Sequence, residues 1–221
     1  MNVFDIIGPV MIGPSSSHTA GAVRIGRVAN KLAMGKIPDR VEITLSGSFA
    51  ETYKGHGTDR ALLAGIMGYH SYSPEIRDAK KIADEKGMGY KFITENLKDA
   101  HPNTARIKVF FGAAESVVQG ASVGGGNIIV TEINGMKVHF TGENNTLLIM
   151  HRDRPGGIAT VTNLMHSKYE GLNISSFNLT REKKGGDAIM TVEVDSLPPE
   201  ELIGNLCKIE NVMNAILIRK L

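Results

Sequence analysis

A chain of 221 residues with 42% hydrophobic and 22% charged side chains has the make-up of a globular protein of one or two domains, long enough to bury a sizeable core. Its 25 basic and 23 acidic residues nearly cancel, which argues against an electrostatic nucleic-acid footprint or a polybasic membrane patch. A single cysteine, Cys207, excludes an internal disulfide framework and a cysteine-ligated metal cluster built by this chain alone.

In chain order, the first run is MNVFDIIGPVMIGP. It is apolar, but it has no basic flank and Asp5 interrupts it, so it does not read as a signal peptide. No apolar run approaches the ~20 residues of a membrane span, and a cytoplasmic chain is expected. Ser15, Ser16, Ser17, His18 and Thr19 then stand directly before a segment with helical spacing at Val23, Val28 and Leu32, which predicts a helix from near Thr19 to near Gly35. RVEITLSGS, at 40–48, alternates as a strand. KGHGTD, at 54–59, leads into a second helix, TDRALLAGIMGYH, with Thr58 or Asp59 as its cap. Ser73-Pro74 opens a charged helix running through Lys86. KFI, RIKVFF, SVV, NIIVTEI and MKVHF are short strands, and Asn134-Gly135 is a hairpin turn between the last two. An α+β domain around an antiparallel or mixed sheet is predicted over 1–143, with the boundary in the polar stretch at 142–145.

Residues 146–221 read more clearly. TLLIMH is a buried strand, and Asp153-Arg154-Pro155-Gly156-Gly157 is a turn with Asp153 as a helix cap. Ile158, Val161, Leu164 and Met165 fall at helical spacing, ending near Tyr169 with Gly171 as the stop. LNISSFNLT and DAIMTVEVD are strands joined by the Lys183–Asp187 turn. Pro198-Pro199 opens a helix carrying Leu202, Ile203, Leu206 and Ile209, in which Cys207 reads as a small buried hydrophobe, and NAILIRKL closes as a strand. The order is that of the ferredoxin-like βαββαβ unit.

Three clusters in the first domain are candidates for chemistry. SSSHT precedes a helix, where unpaired N–H groups and hydroxyls form an anion site and His18 adds a donor or proton carrier. The competing reading is that Ser17 only caps the helix and His18 is solvated. His56 sits between two glycines on a loop, unshielded, and an imidazole is the side chain best suited to act as a base at neutral pH; an isolated loop histidine is also often plain surface. GASVGGGNI, at 120–128, offers a bulge or a close backbone approach. A nucleotide P-loop is not supported, because the G-x-x-x-x-G-K-[ST] pattern is missing.

Taken together, FDIIGPVMIGPSSSHTAG, LSGSFAETYKGHGTDRA and ASVGGGNI resemble the beta chains of iron–sulfur-dependent L-serine dehydratases, and the resemblance covers nearly the whole chain. It implies a lyase subunit that converts L-serine to pyruvate and ammonia. In that family an oxygen-sensitive 4Fe-4S cluster acts as a Lewis acid on the substrate's carboxylate and hydroxyl. The match to GHGTD makes His56 the base that removes the α-proton. Ser15, Ser16, Ser17, His18 and Thr19, with Lys54, Gly55, Thr58 and Asp59, would line and orient the substrate. The family's cluster ligands are cysteines, so the cluster is expected on a separate alpha chain, no metal site is expected here, and the isolated chain should be colourless and inactive. HRDRPGGIATVTNLM and LNISSFNLTR resemble the ACT domain, an amino-acid-binding regulatory module that also self-associates. It implies an effector site at Asp153, Gly156, Gly157, Ile158 and Asn173. The first domain is also similar to an allosteric substrate-binding domain of some phosphoglycerate dehydrogenases, which keeps a regulatory anion role for SSSHT open. The alternatives are a stand-alone ACT-type amino-acid sensor and, ranked below it, a phosphate-binding enzyme.

Overall fold

Alternation in β1 (Arg40–Ser46) buries Val41, Ile43 and Leu45 and leaves Arg40 in solvent, the pattern of a strand covered on one face. The computed structural model describes residues 9–221, so the start of the run read as no signal peptide, and of the domain placed at 1–143, lies outside the described residues. Those residues divide into two compact units on either side of the Asn134–Gly135 bond. No helix among them is long and apolar enough to cross a membrane.

In the first unit, β1 pairs in parallel with β2 (Gly89–Thr94) and antiparallel with β3 (Thr104–Phe111). β4 (Ala114–Gly124) and β5 (Asn127–Ile133) extend the mixed sheet, whose strands within this unit run β2-β1-β3-β4-β5. α1 (Ala22–Leu32) lies on β3 and β4 and buries Val23, Ile25, Val28 and Ala29 completely. It crosses α3 (Thr58–Ile66) at two glycines. A Cβ on Gly26 would lie 2.4 Å from Leu62 O, and one on Gly65 would lie 2.2 Å from Val23 O. The helices approach this closely because neither position carries a side chain.

Two segments differ from the sequence reading. Ser48–His56 is a helix, α2, rather than a loop; only Phe49 in it is buried, so its apolar periodicity is too sparse to announce it. The charged helix after Ser73 is a 3₁₀ turn, Pro74–Asp78, followed by α4 (Ala79–Glu85).

The second unit contains β6 (Met136–Phe140), β7 (Asn145–Arg152), α5 (Gly157–Lys168), β8 (Ile174–Arg181), β9 (Asp187–Val194), α6 (Glu201–Leu206) and β10 (Val212–Ile218). β7 to β10 form an antiparallel sheet in the order β10-β7-β9-β8, the arrangement of the ferredoxin-like unit. Its core joins Leu147, Ile149, Met190 and Val192 of the sheet to Val161 and Met165 of α5 and Leu202 and Leu206 of α6. β6 packs against β8 and β9 in the second unit and follows directly on the Asn134-Gly135 turn. That turn has both residues at positive φ, 49° and 81°, the backbone an Asn-Gly pair adopts at low cost. Cys207 is exposed, not buried: α6 turns Leu202 and Leu206 inward at i, i+4, and Cys207 follows past its end.

Candidate functional site

SSSHT does begin a helix, but Ser15, not Ser17, is the cap. Ser15 is extended (φ −142°, ψ 128°) and its Oγ accepts from the His18 N–H at 3.3 Å. Ser16–Gly21 is a π-helical turn, a wide local geometry that recurs at functional sites, and it runs directly into α1. Glycines let it pack. A Cβ on Gly21 would lie 2.1 Å from Ser122 Oγ, one on Gly126 3.2 Å from Ala20 Cβ, and one on Gly13 2.1 Å from Thr19 Oγ1. GASVGGGNI is thus the end of β4, a turn with Gly124, Gly125 and Gly126 all at positive φ, and the start of β5. It supplies both the register shift and the close approach its glycines suggest.

His18 is 8% exposed, against the solvated alternative. Its Nε2 lies 3.1 Å from Thr52 Oγ1, and the Thr52 hydroxyl donates its one hydrogen to Ser48 O at 2.7 Å. Nε2 must therefore carry the proton and donate to Thr52, leaving the Nδ1 lone pair to the Ser15 hydroxyl 3.4 Å away. Burial lowers the pKa of His18 below its ordinary value, and the neighbouring His56 adds to this. The two rings meet edge to face, centroids 4.7 Å apart at 82°, and Phe49 closes the other side at 5.1 Å. SSSHT and KGHGTD, some 35 residues apart in sequence, thus meet at the contact between His18 and His56.

His56 is the last residue of α2, not a loop residue, and Gly57 at φ +72° is the joint from which α3 departs. A helix end still leaves the imidazole exposed, and it lines a cavity of about 310 Å³ together with Gly13, Pro14 and Gly57. Ser16 and Ser17 are half-buried, and Gly55 and Lys54 exposed, with Lys54 Nζ 5.7 Å from the centre of the Tyr53 ring. Thr58 and Asp59 are buried. The Asp59 carboxylate accepts from Arg60 N at 2.8 Å and pairs with Lys80, tying α3 to α4, whereas the Thr58 hydroxyl has no partner among the described residues. Sequence reasoning missed Thr52, which fixes the tautomer of His18. Phe49, Thr52 and His56 stand at i, i+3 and i+7 on α2, a spacing that brings all three to His18 once α2 is known to be a helix.

In the second unit a cavity of about 250 Å³ is lined by Gly156, Gly157, Arg154 and His151, among others. Asp153, Ile158 and Asn173 are not part of its wall. Asp153 does not cap α5, whose N-cap is Gly156 at φ +84°. Its carboxylate instead accepts from Gly185 N at 3.0 Å and Arg181 Nη1 at 2.8 Å, bonds that hold its pKa below the ordinary value. Ile158 is exposed, and Asn173 bonds Asp195 at 2.6 Å. His151, which sequence reasoning did not single out, is buried, its Nδ1–H donating to Arg152 O at 2.9 Å and its Nε2 without a partner among the described residues.

Among the described residues no three His, Cys, Asp or Glu side chains converge to hold a metal ion. With one cysteine, exposed at the end of α6, this donor set does not fit a four-iron cluster.

The family described as "Serine dehydratase beta chain" matches residues 2–88. The chain is 43% identical over 212 residues to the probable L-serine dehydratase, beta chain, of Bacillus subtilis, covering 96% of this chain and 95% of that one. It is 39% identical over 217 residues to the L-serine dehydratase, beta chain, of Peptoniphilus asaccharolyticus, covering 97% and 96%. A D-3-phosphoglycerate dehydrogenase of Synechocystis is 25% identical over 202 residues, which are 90% of this chain but 35% of that protein.

Proposed function

Because this chain belongs to the L-serine dehydratase beta-chain family, we propose that it supplies the proton-accepting wall of a lyase that converts L-serine to pyruvate and ammonia. The observation that carries the reading is the contact of His18 with His56, which unites the two polar motifs beside one cavity. His56 takes the α-proton of the substrate. Loss of the β-hydroxyl as water leaves an enamine, which tautomerises and hydrolyses to pyruvate and ammonia. His18 is a positioning residue: buried, neutral and fixed in one tautomer by Ser15 and Thr52, it buttresses the His56 ring without competing for the proton. Ser16 and Ser17, half-buried on the turn, offer hydroxyls to the substrate, and Lys54 and Gly55 flank His56. Thr19, packed against Gly13, and Thr58 and Asp59, buried at the start of α3, hold the walls in place.

The 4Fe-4S cluster belongs in this reading to a separate cysteine-bearing alpha chain, since the residues here do not fit it, and no step above is drawn through it. A cytoplasmic location agrees with a reduced thiol on the surface at Cys207. The ferredoxin-like unit is an ACT-type regulatory module that self-associates and takes an amino-acid effector at the Gly156-Gly157 turn, supported by the cavity there.

The test is anaerobic co-expression with an alpha chain. His56→Ala should assemble normally and lower kcat by about 10²–10⁴-fold, the usual contribution of a general base. Near-normal pyruvate formation by that variant overturns the assignment.

A further inference from the structure

The cavity beside His56 has a second chemical character that the proton transfer does not use. Arg60 and Arg77 both line it, with Met11, Ile12 and Ile76 as apolar wall, and no Asp or Glu is among the described lining residues. Four of the chain's ten arginines are matched to carboxylates: Arg40 to Glu42, Arg152 to Asp187, Arg181 to Asp153 and Arg219 to Glu200. Arg60 and Arg77 have no such partner among the described residues. Arg60 is also held against the backbone next to His56. A Cβ on Gly57 would lie 3.1 Å from its Nη2 and 3.5 Å from its Nε. Gly57 therefore serves two needs, the left-handed turn at φ +72° and room for this guanidinium.

We propose that Arg60 and Arg77 form a carboxylate subsite in this cavity, which takes the carboxylate of the small amino acid whose α-proton His56 removes. The proposal rests on the reading of His56 given above. A guanidinium presents a planar pair of donors that matches a carboxylate, and a partly apolar wall strengthens the attraction relative to open water. Neutralising the carboxylate has a catalytic consequence. Negative charge grows on the α-carbon as the proton leaves, and a bare carboxylate beside it would oppose that growth. Two cations and a base lining the same cavity suit an α-proton abstraction from an acid.

Two experiments test this. In the first, the full isolated chain is titrated with pyruvate, and separately with inorganic phosphate, while the arginine Nε–H and histidine ring signals are followed by NMR. Pyruvate should shift Arg60 and His56 saturably, and the double variant Arg60→Gln, Arg77→Gln should lose the shift. In the second, the enzyme reconstituted with its alpha chain is assayed with Arg77→Gln and with Arg60→Lys. Arg77 is exposed, so its variant should fold, and Lys keeps the charge at 60 while removing the fork. KM for L-serine should rise about tenfold to a hundredfold, with a smaller fall in kcat, the size expected for lost charge-assisted hydrogen bonds. The pattern differs from that of His56→Ala, which acts on kcat. An unchanged KM in both variants, or shifts with phosphate but none with pyruvate, overturns the proposal. If reconstituted wild-type enzyme ignores L-serine while pyruvate still shifts Arg60 and His56 in an arginine-dependent way, the serine reading fails and the carboxylate subsite stands.

Discussion

At the scale of single residues, His18 is held from both ring nitrogens by hydroxyl groups, and this has consequences that can be measured. Thr52 has spent its hydrogen on Ser48 O, so it can only accept from Nε2–H. Thr52→Val keeps the shape and removes that acceptor, leaving a buried N–H without a partner, and should lower the unfolding free energy by about 1–3 kcal/mol in urea titrations. His18 also couples stability to pH. Its folded pKa lies below the unfolded value of about 6.5, so in the interval between the two the unfolded chain binds more protons. Stability is therefore full above about pH 6.5 and falls as the pH drops through that interval towards the folded value. His70, lowered by burial and by Arg27, acts in the same window and in the same direction. Unfolding midpoints measured between about pH 7 and 5 should decline, and His18→Asn should flatten part of the decline but not all. A flat wild-type profile would remove the case for a neutral, buried His18.

At the scale of elements, the crossing of α1 and α3 decides where the two histidine motifs stand, since Ser16–Gly21 leads into α1 and Gly57 into α3. Gly65→Ala would push a methyl group to 2.2 Å from Val23 O, which is backbone and cannot swing aside. The expected loss is about 1–3 kcal/mol, and more if the helices cannot separate. Gly55→Ala is the contrasting case. Gly55 lies within α2 with nothing within 4 Å of its Cβ position, so this change should raise stability by about 0.5–1 kcal/mol. Thermal melts of the two variants should move in opposite directions. The elements that could be read from sequence were those with a strong period: the βαββαβ order follows from clean alternation in 187–194 and from i, i+3, i+4 spacing in α5. α2 could not be read that way, because nine residues with one buried side chain carry no period. Asp153 misled for a related reason. An Asp before Pro-Gly-Gly looks like a cap, and only the β8–β9 hairpin, folding back with Arg181 and Gly185, shows where its carboxylate goes.

At the scale of the whole molecule, His56, Arg60 and Arg77 line one cavity, yet among the described residues there is no set of ligands for the cluster that the family resemblance implies. His56 by itself can accept a proton, but a β-hydroxyl is a poor leaving group, and the described residues of the cavity wall offer no second proton donor beside His56 to assist its departure. Half of an elimination does not turn over: a proton taken without loss of the hydroxyl simply returns. The purified chain alone should therefore form no pyruvate from L-serine and show no visible absorbance, and both should appear together on anaerobic addition of a cysteine-bearing alpha chain. The order of effects matters. If colour were restored without activity, the cluster would be in place and the fault would lie in this chain's wall, where His56→Ala should reproduce it. If the purified chain formed pyruvate before any partner was added, the division of the reaction between two chains would be wrong, and the leaving-group chemistry would have to be found among this chain's own residues.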